Sequence, residues 1–207
     1  PCAPGPVGCR LPKPGPCPTS SQPNRKQVSG RWIRWDETRA QAAYAEGRWV
    51  RTTLADALQQ AAQRTPQRVL LVDGERRIDC LTRQTQAMAL AQALLARTRP
   101  GSVVSFMLPN WHEAAVIYLA ATLAGMVVNP ILPSLRDHEL RFILDDAGAA
   151  MIFVPHRFGG HDYAAMLENV TTAMNRAPEV VVLRGEAGTH TPYPSLLGKQ
   201  KDSGRLP

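Results

Sequence analysis

Between Val103 and Arg184 the apolar residues fall into a repeating order. A short continuous apolar run is followed by a longer segment with helical spacing, and then by another short run. "SVVSFML", "MVVNPI", "AAMIFVP" and "EVVVLRG" are the short runs. They show no alternation of polar and apolar residues, as expected of parallel strands covered by helices on both faces. Between them lie three helical segments. The one after Trp111 is apolar nearly all round, so it belongs among the most buried. "LRDHELRFILDDAG" places Leu140, Ile143, Leu144 and Ala147 on one stripe, and "DYAAMLENVTTAMNRA" ends before Pro178. The unit strand–helix–strand thus occurs three times. That order predicts an α/β fold, a doubly wound and mostly parallel sheet.

Upstream, Thr53 with Asp56 marks a helix start, and "LADALQQAAQRT" sets Leu54, Ala57, Leu58 and Ala61 on one face before Pro66 stops it. "RVLLVDG" and "RRIDC" read as two strands of a hairpin. Thr82 is expected to cap the helix "RQTQAMALAQALLART". Ser134 with Asp137 repeats the capping pattern, and Gly125 and Gly148 supply left-handed stops. In "FMLPNWHEA", Pro109 ends a strand and Asn110 is placed to cap the following helix through its side chain. A helix start at a strand end also receives anions. Asn110 and Trp111 are therefore the candidate ligand-facing turn, against the plainer reading of a joint between two pieces of core.

Charge changes the picture only at one end. The formal charge is +7, but residues 1–35 hold six basic residues and no acidic one. The rest is nearly neutral. Residues 1–35 also carry eight of the 18 prolines and no apolar period, so they read as a disordered, Pro-rich basic tail. Trp32 and Trp35 are expected to pack where the fold begins. Residues 36–184 form the α/β subdomain, and 185–207 a polar loop. The tail lacks the apolar stretch of a secretory signal. Ala114–Val128 is short for a membrane span and is interrupted by Thr122 and Gly125. A cytoplasmic protein without a transmembrane segment is the expectation. Cys2, Cys9 and Cys17 lack the close pairing of a zinc site, and Cys80 stands alone.

Searches for chemistry exclude several classes. No strand is followed by G-x-G-x-x-G, and "LLGKQ" lacks the first glycine and the Ser or Thr of a phosphate loop. His112-Glu113 and His138-Glu139 start like a zinc helix, but Val116 and Phe142 stand where the second His belongs. There is no G-x-S-x-G. His112, His138, His156 and His161 are read as solvated or capping residues. Asp145 and Asp146 are adjacent on a helix and do not share a site. No aromatic pattern or module accompanies the basic tail, so specific nucleic-acid binding is not expected. No catalytic, cofactor-binding or metal-ligating constellation is assigned from the residues alone.

Three ordered blocks nevertheless carry a resemblance: "AAYAEGRWVRTTLADALQQAAQRTPQRVLLVDG", "RPGSVVSFMLPNWHEAAVIYLAATLAGMVVNPI" and "LRDHELRFILDDAGAAMIFVP". Together they resemble the N-terminal region of the adenylate-forming acyl-CoA synthetases, the AMP-binding enzyme superfamily. "AAYAEGRW" and "VPHRFGGHDYAAM" look most like cyclohexanecarboxylate-CoA ligases and fatty-acid-CoA ligases. Such relatives have an Arg after the Phe, where this chain has Gly159. The resemblance implies an incomplete N-terminal part of the synthetase large domain. It also implies ATP, Mg²⁺ and CoA as the family's cofactors and a small-molecule carboxylic acid as substrate. In the first step the acid attacks ATP to give an acyl-adenylate, and CoA then takes the acyl group. The first step needs a loop reading Thr-Ser-Gly-Thr-Thr-Gly-x-Pro-Lys-Gly. This chain is expected to stop before it, to be inactive alone, to bind none of the cofactors tightly, and to self-associate through uncovered apolar surface. The alternative is a non-catalytic α/β scaffold whose basic tail binds an anionic partner.

Overall fold

A computed structural model describes residues 25–28 and 31–197. They fall into two compact units, one ending at Val50 and the other beginning at Arg51. The three tail cysteines and most of the proline-rich segment lie outside the described residues.

In the first unit, β1 (Arg25–Val28) and β2 (Arg31–Arg34) pair antiparallel. α1 (Glu37–Ala45) starts at Asp36, whose carboxylate accepts the Arg39 amide at 3.0 Å. Trp35 lies 6.1 Å from Trp49, ring to ring, with the Lys26 ammonium 4.8 Å above it. Trp32 is exposed. Of the two tryptophans expected to pack, only Trp35 does so.

The second unit opens with α2 (Leu54–Arg64). Thr53 Oγ1 accepts the Asp56 amide at 3.2 Å while the Asp56 carboxylate accepts the Thr53 amide at 2.8 Å, the reciprocal cap expected from that spacing. The buried stripe is Ala55, Leu58 and Ala62. Leu54, placed on the core face from sequence, is exposed. The true stripe is set by small residues, which a reading led by leucines misses. β3 (Val69–Asp73) and β4 (Arg76–Asp79) form the expected hairpin, turning through Gly74 at φ +59°.

α3 (Cys80–Leu95) follows β4 without a loop. Its first amides are met by Asp79, which accepts from the Thr82 amide at 2.7 Å. Asp79 therefore caps this helix, and Thr82 lies inside it. The hairpin delivers a carboxylate directly to the helix start, where it also meets the positive dipole end.

The remaining elements are β5 (Val103–Phe106), α4 (His112–Leu123), β6 (Val127–Pro130), α5 (Asp137–Ala147), β7 (Ala149–Pro155), β8 (Arg157–Phe158), β9 (His161–Asp162), α6 (Tyr163–Thr172), β10 (Glu179–Leu183), β11 (Thr191–Pro192) and α7 (Tyr193–Leu197). β8 and β9 make a small antiparallel ladder. Five strands form one parallel sheet in the order β11-β10-β7-β5-β6. Alternation sorts its side chains to two faces. Val104, Met151, Phe153, Val181 and Leu183 join Leu90 and Leu94 of α3, Ile117 and Ala120 of α4, and Leu196 of α7. Val103, Ile152, Val154, Val180 and Val182 join Leu140 and Leu144 of α5 and Met166 and Leu167 of α6. Helices thus cover both faces, which is why these strands read as unbroken apolar runs.

Three details differ from the sequence expectation. Residues 25–28 and 31–34, expected as part of a disordered tail, pair as the β1–β2 hairpin. Arg136 is the N-cap of α5 and its amide donates to Glu139 Oε2 at 3.4 Å, so Ser134 is not the cap. Residues 191–197, expected as loop, add a strand to the sheet edge and a one-turn helix that buries Leu196. Two strand residues and one helical turn are too short to show a period. Among the described residues no helix is long and apolar enough to cross a membrane.

Candidate functional site

In an open parallel sheet the loops at the carboxyl ends diverge where the strand order reverses, and ligands lodge there. Here β5 leads to β6 on one side, while β7 and β10 lie on the other. The reversal therefore falls between β5 and β7. The loop after β5 carries Leu108-Pro109-Asn110-Trp111, the loop after β7 carries His156 to Gly160, and Arg184 follows β10.

Side chains from these loops meet across the reversal. Trp111 stands edge-on to Phe158 with ring centroids 6.0 Å apart and planes at 87°. The Arg184 guanidinium carbon lies 3.9 Å from the Trp111 ring centroid, stacked as a cation on an aromatic face. Of the two candidate turn residues, Trp111 is half-buried in this assembly and Asn110 is exposed.

Asn110 does not cap α4. The residue at the N-cap position is Trp111, which makes no side-chain capping bond. The first helical amide, of His112, instead donates to Asp73 Oδ2 at 3.0 Å. The cap is thus supplied by the end of β3. Asp73 also accepts from His112 Nδ1 at 2.9 Å, which leaves Nε2 to face the Arg76 guanidinium at 3.5 Å. With Nδ1–H donating to the carboxylate, Nε2 is the acceptor for Arg76. The sequence pattern reads His112 as solvated or capping. It is 7% exposed and hydrogen-bonded to Asp73 instead, because a partner 39 positions away folds onto it.

Arg184 closes the network. Its Nε donates to Glu113 Oε1 at 2.8 Å and its Nη2 to Glu113 Oε2 at 2.6 Å, a bidentate pairing. Nη2 also reaches Asp73 Oδ2 at 3.1 Å. From beneath, Arg83 of α3 donates through Nη1 to the His112 carbonyl at 3.0 Å. His156 likewise departs from the solvated reading. It accepts the Glu186 amide on Nδ1 at 3.2 Å, and the Gly185 backbone packs directly against its ring.

These contacts move the titrations. The His112 ring N–H, then the His112 amide, and to a smaller degree Arg184 hold the Asp73 carboxyl down at about 2. Arg184 is pushed up, chiefly by its bonds to Glu113. Burial raises the Tyr193 phenol to about 12. A depressed carboxylate contributes stability that is complete above its unfolded value near 3.8 and is lost as the pH falls toward about 2. Asp73→Asn is therefore expected to lower the melting temperature at neutral pH and to flatten its decline in that acid window. Melting curves across the acid range check this.

Asp73, His112 and Glu113 offer ligand atoms within 4.8 Å of one another. They do not fit Mg²⁺, which takes oxygen ligands and retains several waters. Arg184 already donates to both carboxylates. The described residues likewise present no run of Ser, Thr and Gly amides to hold a triphosphate. Gly159 offers no side chain, and Arg157 is paired with Asp162 at 2.9 Å. The arrangement's own chemistry is positioning. It fixes the hairpin, the start of α4 and the end of β10 around one crevice.

Comparison with known proteins gives the setting. The family described as AMP-binding enzyme matches residues 58–204. The medium-chain fatty-acid–CoA ligase of Escherichia coli is 35% identical over 128 residues, which are 61% of this chain and 23% of that protein. The salicylyl-CoA synthase / salicylate adenylyltransferase of a Streptomyces species is 29% identical over 159 residues, 76% of this chain and 29% of that one. The apo structure of Mycobacterium smegmatis MbtA superposes with a TM-score of 0.72 at 25% identity, covering 84% of this chain and 32% of that chain. The chain thus spans less than a third of the length of these relatives. With the match running from α2 through the whole parallel sheet, the chain belongs to the AMP-binding enzyme family.

Proposed function

We propose that this chain is the N-terminal α/β part of an ATP-dependent acid–CoA ligase. Such an enzyme converts a carboxylic acid and ATP to an acyl-adenylate and pyrophosphate, then transfers the acyl group to CoA with release of AMP. The reading is carried by the 35% identity to a medium-chain fatty-acid–CoA ligase. ATP, Mg²⁺ and CoA are the cofactors of that whole enzyme, and a small carboxylic acid is its substrate. A cytoplasmic setting, where ATP and CoA are available, goes with it.

The run Thr-Ser-Gly-Thr-Thr-Gly-x-Pro-Lys-Gly does not occur in the 207 residues. We therefore expect these residues alone to hold the cofactors weakly and to be inactive. Incubating the purified chain with ATP, Mg²⁺, CoA and medium-chain acids should give no acid-dependent pyrophosphate. Acid-dependent release above the no-acid control overturns this. Self-association is supported by the exposed Val69, Leu70 and Val72 of β3 and Leu81 of α3. Sedimentation showing a monomer at all concentrations removes it.

A second reading, a scaffold whose basic segment binds an anionic partner, has one observation in its favour. The β1–β2 hairpin exposes Arg25, Lys26 and Arg34 together. Retention of activity by a full-length ligase lacking residues 1–35, together with loss of binding to a polyanion, would separate the two.

A further inference from the structure

Arg83 is fully buried. Only Nη1 is bonded, to the His112 carbonyl and, at 3.4 Å, to Gln86 Oε1. Nε and Nη2 have no partner among the described protein atoms. A guanidinium withdrawn from water persists at low cost only when its donors are met. The carboxylate adjacent to that contact is Glu113, which directly follows the residue whose carbonyl Arg83 already holds.

Glu113 is instead engaged by Arg184. That pairing leaves the buried Arg83 cation without a matching carboxylate. The mismatch is relieved if Glu113 turns to Arg83 and Arg184 swings away. Asp73 keeps its two bonds to His112 throughout, so the start of α4 stays capped.

We propose that Arg184 is a latch opened by a phosphate-bearing ligand at the crevice mouth. Its side chain is 38% exposed, and its bonds within the crevice run through Nε and Nη2, leaving Nη1 to an incoming ligand. The planar fork of a guanidinium matches phosphate oxygens in pairs. Trp111 supports its flat face. As phosphate draws Arg184 off Glu113, the freed carboxylate pairs with Arg83, and the two exchanges offset each other. This proposal concerns the crevice alone and does not rest on the acid–CoA ligase reading.

The test titrates inorganic phosphate into the 207-residue chain at constant ionic strength. The signal is Trp111 fluorescence, taken as the difference from Trp111→Phe, because Arg184 stacks on that ring. The chain should show a saturable change, and Arg184→Gln none. Arg83→Met, which removes the second partner of Glu113, should raise the half-saturating phosphate about tenfold. Glu113→Gln, which loosens the latch, should lower it. These shifts have opposite signs, so general damage to the fold cannot produce both, and melting curves confirm that each variant is folded. A flat titration of the folded chain overturns the proposal. So does a response retained in Arg184→Gln, or half-saturation unchanged in both Arg83→Met and Glu113→Gln.

Discussion

Replacing Gly185 by alanine is expected to cost about 3 kcal/mol and to lower the melting temperature by roughly 10 °C. A Cβ built on Gly185 stands 2.4 Å from His156 Nδ1, 2.6 Å from His156 Cβ and 2.8 Å from His156 Cγ. The ring has little room to yield. Its Nδ1 accepts the Glu186 amide. The His156 amide donates to the Leu183 carbonyl at 2.8 Å, and its carbonyl accepts the Tyr163 amide at 2.9 Å. The backbone at Gly185 also lies at φ +153°, which L side chains rarely adopt. Overpacking and strain therefore add at one position. The damage falls between the ends of β7 and β10, next to Arg184. Gly159→Ala is the matched control. It carries φ +59° but nothing lies within 4 Å of its added Cβ, so only the backbone term remains, about 1 kcal/mol. Chemical denaturation of both variants checks the difference.

Phe153→Ala is expected to cost about 3–5 kcal/mol. Phe153 is fully buried at the middle of the sheet, opposite Phe106 of β5 and Val181 of β10. Its ring stands edge-on to Tyr193 with centroids 6.2 Å apart. Flanking strands on both sides limit how far the sheet can collapse into the space left, so both the transfer and cavity contributions are felt. Phe142→Ala is the contrasting case. That side chain is 68% exposed on α5, and its loss should stay within about 0.5 kcal/mol. Guanidinium midpoints for the pair measure burial against residue type directly.

The sheet is legible in the sequence because each of its four main strands is an apolar run set between helical periods. The β3–β4 hairpin is legible through Asp73-Gly74, and the reciprocal cap of α2 through Thr53 and Asp56. Contacts between distant residues are not. Asp73 caps a helix 39 positions away, and Arg184 reaches back 111 positions to Asp73. An arginine after a strand and an aspartate before a glycine are ordinary surface residues until the fold joins them. Trp111 stands out for its place at a strand-to-helix turn, and the fold sets it against Phe158 and Arg184. Asn110 stands out for its side chain, but Asp73 takes the helix amide. Arg83 gives no signal, because a charged residue in the first turns of α3 reads as solvated, and only tertiary packing buries it.

The most direct measurement transplants the unit. In the Escherichia coli medium-chain fatty-acid–CoA ligase, the segment that occupies the same stretch of the AMP-binding enzyme family is replaced by residues 58–204 of this chain. AMP formation is then assayed with a medium-chain acid, ATP and CoA. Acid-dependent AMP formation by the chimera is the expected result, with Gly185→Ala in the transplanted unit reducing it through the crevice loops. A chimera that melts cooperatively but forms no AMP above the acid-free control would contradict the assignment of this unit to an acid–CoA ligase.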